Sequence, residues 1–196
     1  MTKIVIGVVG QIGAGKDAAI EFLEKRGFVN FSLSDQIREV LKRKGNLDFT
    51  REEIQKMANK RRKEEGHDYW AKKAWKKAME SGQEKLIISS IRHPAEVTFL
   101  KKQKNLYLLA MVASQRLRYQ RKLSSTRSDD QDILTWEKFK KMDDYEFKGA
   151  NGYSQQVEKT VSLADFRVEN NGTKKDLQEK VNAVLDQIRG GKNNQD

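Results

Sequence analysis

Short apolar runs alternate with longer amphipathic stretches along the chain. Five of the runs have the length of β-strands, and four of them lack polar alternation, which is typical of strands covered on both faces. The predicted strands are Lys3–Val9, Val29–Leu33, Leu86–Ser90, Leu106–Val112 and Phe166–Val168. Strands that alternate with helices in this way predict an α/β protein with a five-stranded parallel sheet and helices on both faces.

The stretches between the predicted strands have helical spacing. The clearest is Thr173–Ile188, where apolar residues recur every three or four positions and Thr173 with Asp176 predicts a capping box. Pro94, the only proline, is well placed to begin a helix. The predicted helices cover residues 18–27, 35–44, 50–81, 94–102 and 173–188.

The size and composition limit the class of protein. A chain of 196 residues without an internal repeat or linker predicts a single domain over residues 1–190, followed by a flexible polar tail at 191–196. It contains no cysteine, which excludes disulfides and thiolate metal sites. The apolar run Ile4–Val9 is far too short to span a membrane, so we expect a cytoplasmic protein with no membrane partner.

The net charge of +11 is compatible with a nucleic acid or a polyanionic small substrate such as a nucleotide. However, most basic runs fall in amphipathic stretches and are interleaved with acidic residues, for example Lys60–Lys63 before Glu64. Such patterning is typical of solvated helix faces. A nucleic-acid partner is therefore not favoured by the charge pattern.

A glycine-rich segment follows the first strand directly and ends in Lys16. It lacks one residue of the phosphate-binding consensus G-x-x-x-x-G-K-[ST], since Asp17 stands at the hydroxyl position. Glycines allow the backbone to curl so that successive amides surround a phosphate, and the next helix directs its N-terminus at the same anion. The residues predicted to bind nucleotide phosphates are Gly10, Gln11, Ile12, Gly13, Ala14, Gly15, Lys16 and Asp17.

Arginines follow three successive predicted strands. Arg38 comes shortly after strand two, Arg92 closes strand three, and Arg121 and Arg127 bracket a polar loop after strand four. The carboxyl ends of parallel strands meet at one edge, where positive charge favours phosphoryl transfer. These four arginines are predicted site residues, whereas Arg116 and Arg118, which also follow strand four, are interpreted as surface residues.

The segment Ser34-Asp35-x-x-Arg38 resembles the G-D-x-[LI]-R motif of P-loop nucleoside monophosphate kinases, which implies that Arg38 binds the acceptor phosphate, and Arg92 lies where that family has a second such arginine. Asp35 is predicted to contact the acceptor or orient Arg38, with an N-cap of the next helix as the alternative. Residues 91–97, 127–130 and 135–137 are most similar to the archaeal adenylate-kinase-related, dephospho-CoA-kinase-like branch. The resemblance implies a three-layer P-loop kinase fold, an acceptor-binding helical region at 35–81 and a lid loop at 121–132. It also implies roles for Lys16, Arg92, Arg121 and Arg127 in catalysis.

Two positions depart from that family. Its residue after the loop lysine is Ser or Thr, whose hydroxyl binds Mg²⁺; here Asp17 either binds the metal or serves only as the first acid of the helix. In addition, strand three ends in serines, without the aspartate that often assists the metal. Asp17 is the one predicted metal ligand.

These features predict a kinase that uses ATP and Mg²⁺ to phosphorylate a small acceptor that already carries phosphate. The acceptor is expected to be a nucleoside or deoxynucleoside monophosphate, or dephospho-CoA, and phosphomevalonate also satisfies two phosphate-binding arginines. Two alternatives remain at this point: a nucleic-acid-binding P-loop ATPase, and a non-catalytic nucleotide-binding regulator.

Overall fold

The protein is described by a computed structural model that covers residues 3–43, 45, 48–124, 135–149 and 151–190. Its strands are β1 Ile4–Gly10, β2 Val29–Ser32, β3 Lys85–Ser89, β4 Leu106–Val112 and β5 Phe166–Glu169. They form one sheet in the order β2-β3-β1-β4-β5, and each neighbouring pair is parallel. The predicted five-stranded parallel sheet is confirmed, with strand bounds that differ from the prediction by at most one residue.

Nine helices lie in the part of the chain that the structure describes. They are α1 Lys16–Glu24, α2 Leu33–Arg43, α3 Arg51–Glu65, α4 Tyr69–Glu80, α5 Pro94–Lys101, α6 Gln115–Leu123, α7 Trp136–Lys148, α8 Val157–Ser162 and α9 Lys174–Gly190. The stretch 50–81 forms two helices rather than one, because Gly66 ends α3 with a φ of 105°. Helices α6, α7 and α8 are additional to those that the spacing predicts.

The sheet buries both faces, as the unbroken apolar strands indicate. Val5 and Val9 of β1 face a core that α2, α4 and α5 cover, whereas Ile6 and Val8 face the core under α1 and α9. Trp70 of α4 is fully buried, and its Nε1 donates to the carbonyl oxygen of Ala58 at 3.2 Å. The predicted capping box at α9 also forms, with the amide of Thr173 2.8 Å from Asp176 Oδ2.

The position of the central strand creates a crevice. After β1 the chain continues into α1 on one face of the sheet, whereas after β3 it continues into α5 on the other face. Two neighbouring parallel strands whose connections diverge leave a gap at their carboxyl ends, where α/β proteins bind ligands. The loop at residues 10–16 and Arg92 lie on either side of this gap.

Among the described residues, the helices are too short or too polar to cross a lipid bilayer.

Candidate active site

The loop after β1 has a backbone that requires glycine. Gly10, Gly13 and Gly15 have φ angles of 144°, 72° and 94°, a region that residues with a side chain rarely adopt. A Cβ at position 10 would collide with the carbonyl oxygen of Met111, and one at position 15 with the side-chain amide of Asn170. The curled conformation predicted for phosphate binding therefore depends on the close approach of Met111 and Asn170 as well as on the loop itself.

Lys16 is the first residue of α1 and turns back into the loop. Its Nζ donates to the carbonyl oxygens of Gly10 and Gln11 at 2.8 and 2.7 Å. Burial, together with the positive charge of Arg92, lowers the pKa of Lys16 to about 7. An anion bound in the loop would favour the charged amine, so this lysine is set to respond to phosphate.

Arg118 of α6 supports the loop from behind, which corrects its interpretation as a surface residue. Its side chain is 2% exposed and forms an ion pair with Asp143 of α7. Its Nη1 donates to the carbonyl oxygen of Ile12 at 3.0 Å, and its Nε donates to that of Ala113 at 3.1 Å. The carboxylate of Asp143 compensates the charge of this arginine, so that the guanidinium can be buried against the loop.

A cleft of about 590 Å³ opens between the loop and the ends of β2 and β3. It brings together, from the predicted site residues, Ile12, Gly13, Lys16, Asp17, Asp35, Arg38 and Arg92. Two cationic residues that were not predicted, Arg51 and Lys122, also line it. The cleft therefore joins the phosphate loop to a group of arginines that come from separate segments of the chain.

Arg51 and Arg92 share one buried carboxylate. Arg92 Nη1 lies 3.1 Å from Glu146 Oε2 and 2.8 Å from Gln155 Oε1, while Arg51 Nη2 donates to the other oxygen of Glu146. Gln55 Nε2 donates to that same oxygen at 3.1 Å. Burial opposes ionisation of Glu146, but the charges of Arg92 and Arg51 outweigh it and lower the pKa of this carboxyl.

The backbone of Arg92 is fixed by the start of α5. Its amide donates to Glu96 Oε2 at 2.9 Å, and the amide of His93 donates to the same oxygen at 3.0 Å. The other oxygen of Glu96 accepts from Arg62 Nη2 at 2.8 Å. Because Glu96 is fully buried and paired, this connection between β3 and α5 is rigid.

The floor of the cleft consists of hydroxyl and amide side chains at the ends of β2 and β3. Ser90 has a φ of 61°, an uncommon backbone for a residue other than glycine, and its Oγ lies 3.0 Å from Ser32 Oγ. Ser89 Oγ donates to Asn30 Oδ1 at 2.8 Å. Within the described ranges, no group of three or more His, Cys, Asp or Glu side chains forms a metal cage.

Comparison with known proteins places the chain among archaeal relatives, although no protein-family model matches it. It is 30% identical over 191 residues to UPF0200 protein TK1334 of Thermococcus kodakarensis, covering 94% of this chain and 98% of the relative. The chain belongs to the UPF0200 family. UPF0200 protein MJ1399 of Methanocaldococcus jannaschii is 31% identical over 187 residues, covering 94% and 90%.

Solved structures show which fold the UPF0200 chain has. Shikimate kinase from Acinetobacter baumannii, in complex with shikimate, matches with a TM-score of 0.56 at 17% identity, covering 94% of this chain and 93% of that one. A gluconokinase from Sinorhizobium meliloti matches with a TM-score of 0.55 at 10% identity and the same coverages. The UPF0200 chain therefore has the fold of P-loop kinases, as the sequence predicted.

Of the two predicted lid arginines of the UPF0200 chain, Arg121 is not among the described residues that line the cleft. The guanidinium of Arg121 lies 3.5 Å from the carbonyl oxygens of Gly13 and Gly172, beside the loop, whereas the next residue, Lys122, lines the cleft. Arg127 and residues 125–132 of the predicted lid loop lie outside the described residues.

Several functional candidates of the UPF0200 chain were missed by the sequence interpretation, among them Arg51, Glu146 and Arg118. Arg51 had a local signal, because Thr50 and Glu53 form a capping box that begins α3 and places the intervening arginine at the helix start. Glu146 and Arg118 had no such signal, since each acts through residues more than 50 positions away or through a loop carbonyl. Their roles depend on tertiary contacts.

Proposed function

We propose that this UPF0200 protein is an ATP-dependent phosphotransferase whose acceptor is a small molecule that already carries phosphate. Nucleoside and deoxynucleoside monophosphates are the first acceptor class, followed by dephospho-CoA, in keeping with the adenylate-kinase-related branch. One observation carries this proposal: the loop lysine and three arginines, Arg38, Arg51 and Arg92, line a single cleft. Phosphoryl transfer depends mainly on positioning and positive charge, which this arrangement supplies.

The donor phosphates are assigned to the loop. Its curled backbone and the N-terminus of α1 favour an anion, and Lys16 lies at the point where that helix begins. When phosphate enters, the amine exchanges its carbonyl partners for phosphate oxygens. Arg121 and Arg127 remain proposed contributors of positive charge on the donor side, with Lys122 added because it lines the cleft.

The acceptor phosphate is assigned to the three arginines. Within the described residues, Arg92 uses only Nη1 for side-chain hydrogen bonds, which leaves Nη2 and Nε as donors for a phosphate. A smaller pocket of about 90 Å³ adjoins these arginines and is lined in part by Leu33, Ile37, Ile54 and Ala58. We assign the uncharged part of the acceptor to the side of this pocket that these four apolar residues line.

Magnesium fits the residues that are present. Asp17 is exposed in the first turn of α1 and lines the cleft next to Lys16. Mg²⁺ is commonly held by one or two carboxylates together with substrate phosphates, so one protein carboxylate suffices. Asp17 is the residue that would hold the ion, and the bound ion would neutralise charge on the donor phosphates.

The reaction that follows is direct transfer. With a nucleoside monophosphate as the acceptor, an oxygen of its phosphate attacks the γ-phosphorus of ATP, a new P–O bond forms, and the bond between the γ-phosphorus and the oxygen that bridges to the β-phosphate breaks to release ADP. Arg92, Arg51 and Arg38 hold the attacking group, while Lys16 and the loop amides stabilise charge on the donor. No covalent intermediate with the protein is required.

The charge distribution gives less support to a nucleic-acid-binding ATPase. Many surface lysines lie one turn from an acid, as in the pairs Lys25–Glu21, Lys56–Glu52 and Lys72–Asp68. Such pairs are typical of solvated helix faces.

An ATP-consumption screen tests the proposal directly. Purified protein with Mg-ATP is incubated with AMP, CMP, deoxynucleoside monophosphates, dephospho-CoA and phosphomevalonate, and products are identified by mass. We expect one phosphorylated product with stoichiometric ADP. Failure to phosphorylate any acceptor would contradict the proposal; steeply salt-dependent ATP hydrolysis on nucleic acid, or ATP binding without turnover, would then identify the alternative function.

A further inference from the structure

Helix α7 carries two buried carboxylates, Asp143 and Glu146, that reach opposite halves of the cleft through the arginines they bind. Asp143 pairs with Arg118, which supports the phosphate loop through the carbonyl oxygen of Ile12. Glu146 binds Arg51 and Arg92, which line the acceptor side. Residues three apart lie on the same face of a helix, so a single turn of α7 contacts both groups.

Both contacts are directional. Asp143 accepts from Nη1 and Nη2 of Arg118 in a bidentate pair, and Gln115 Nε2 donates to it at 2.8 Å. Glu146 uses one oxygen for Arg51 and the other for Arg92. The side chains of Asp143 and Glu146 are only 4% and 5% exposed, so solvent screens these pairs weakly.

We propose that α7 is a spacer that fixes the distance and orientation between the donor loop and the acceptor arginines. Glu146 orients Arg51 and Arg92, and Asp143 acts on the loop through Arg118. Both are positioning residues, because neither lines the cleft. The inference rests on the proposed phosphoryl transfer, where a misplacement of about 1 Å can lower the rate on the order of 100-fold.

Glu146→Gln tests the acceptor half. Glutamine preserves the shape but removes the charge that orders the two arginines. Removing a negative charge does not weaken the attraction of the arginines for an anionic acceptor. The variant should therefore disturb the orientation of the arginines without weakening acceptor binding. We expect kcat to fall about 10-fold or more. The acceptor KM should stay unchanged or fall, and the ATP KM should stay within about twofold of the wild-type value.

Arg118→Lys tests the donor half. One ammonium group keeps the charge beside Asp143 but cannot also reach the carbonyl oxygens of Ile12 and Ala113 in the fork geometry of arginine. We expect the ATP KM to rise about fivefold with the acceptor KM within about twofold. Asp144→Asn, on the exposed face of the same helix, is the matched control and should behave as wild type.

The double variant Glu146→Gln with Arg118→Lys tests the spacer itself. If Glu146 and the Arg118–Asp143 pair both act through α7, the combined loss in kcat/KM for ATP should be smaller than the product of the two single losses. Circular dichroism and thermal melting verify that each variant folds. Glu146→Asp, which keeps the charge but shortens the reach, serves as a second acceptor-side variant and should show a smaller loss than Glu146→Gln.

Three results would overturn the spacer: kinetic constants of both single variants within twofold of wild type, equal increases of both KM values in each, or a double loss equal to the product. If the wild-type protein phosphorylates no acceptor, the proposed function fails separately. Calorimetry with magnesium adenylyl imidodiphosphate and with inorganic phosphate then tests the spacer without turnover. Of the two single variants, only Arg118→Lys should lower the affinity for the nucleotide, and Glu146→Gln should not lower the affinity for phosphate.

Discussion

The two halves of the cleft are built in different ways. The proposed donor half is a run of eight consecutive residues, 10–17, whose backbone curls at three glycines and whose lysine turns back into the loop. The acceptor half combines arginines from α2, α3 and the end of β3 with a carboxylate from α7. The first combines a local backbone conformation with the support of Arg118, whereas the second depends entirely on long-range packing.

This difference determines what each half can tolerate. In the loop, the positive φ angles of three glycines set the backbone geometry. On the acceptor side, Arg92 is held at its amide by Glu96 and at its guanidinium by Glu146 and Gln155. A change outside the cleft is therefore expected to affect acceptor binding first, unless it falls on Arg118 or Asp143, which support the loop.

The largest effect should come from Lys16→Ala. It removes the central charge of the donor half while the glycine backbone remains. We expect phosphoryl transfer to fall on the order of 1,000-fold. Initial rates with the acceptor found in the screen provide the measurement, and Lys25→Ala on the exposed end of α1 is the control. A loss below tenfold would mean that the loop amides suffice.

Arg92→Lys should have the next largest effect, and it should impair the acceptor half of the cleft without impairing the donor half. Lysine keeps the charge but cannot contact Glu146, Gln155 and a phosphate in the planar geometry of a guanidinium. We expect kcat/KM for the acceptor to fall about 100-fold with an unchanged ATP KM. Arg189→Lys, on the exposed end of α9, is the matched control. An equal rise in the ATP KM would show that the halves are not distinct.

The pH dependence of nucleotide binding should arise from Lys16 in the donor half. With its pKa near 7 in the free protein, Lys16 is mostly neutral at pH 8, and a bound triphosphate favours the protonated amine. Nucleotide binding at pH 8 should therefore take up close to one proton, and affinity should fall up to about tenfold per pH unit above 7. Calorimetry in buffers of different ionisation enthalpy measures the uptake, which should vanish at pH 6.

The same lysine should affect the stability of the free protein with the opposite sign. In the unfolded chain its pKa returns to about 10.5, so between pH 7 and 10.5 the unfolded state binds more protons. Its contribution to the free energy of unfolding therefore increases with pH in this window, while nucleotide affinity decreases. Denaturant titrations of wild type and Lys16→Ala at pH 7 and 9 would reveal the difference.

Asp17→Asn should produce the smallest effect. If Asp17 assists the metal, the Mg²⁺ concentration for half-maximal activity should rise about fivefold, since the phosphates supply most of the ligands. Asp186→Asn on α9 is the control. An unchanged Mg²⁺ requirement would assign Asp17 to the first turn of α1 as a helix acid, where its loss lowers stability by only about 0.3–1 kcal/mol.

The sequence predicted the glycine loop and the individual strands because both have local signals. The glycine spacing before Lys16 and the apolar runs of β1, β3 and β4 contain their own structural information. The acceptor half was predicted only in part. Arg38 and Arg92 follow strands, but the carboxylate that orients Arg92 lies 54 residues further along the chain.

Arg118 is a second residue whose place in the fold could not be predicted from the sequence. It lies in a segment rich in basic residues, QRLRYQRK, where sequence alone does not separate a buried arginine from exposed ones. Burial follows from Asp143, which is 25 residues away and belongs to a helix that the apolar pattern did not predict. Compensated charges inside a fold resemble surface charges in the sequence.

Ser90 restricts how UPF0200 sequences can diverge at the end of β3. Its left-handed backbone favours glycine or asparagine over most residues, whereas the contact with the hydroxyl of Ser32 requires a short polar side chain. Few residue types meet both demands. We therefore expect substitutions at position 90 to remain within serine, asparagine and glycine, and a glycine there to be accompanied by a change at position 32, so that the two sites evolve as a pair.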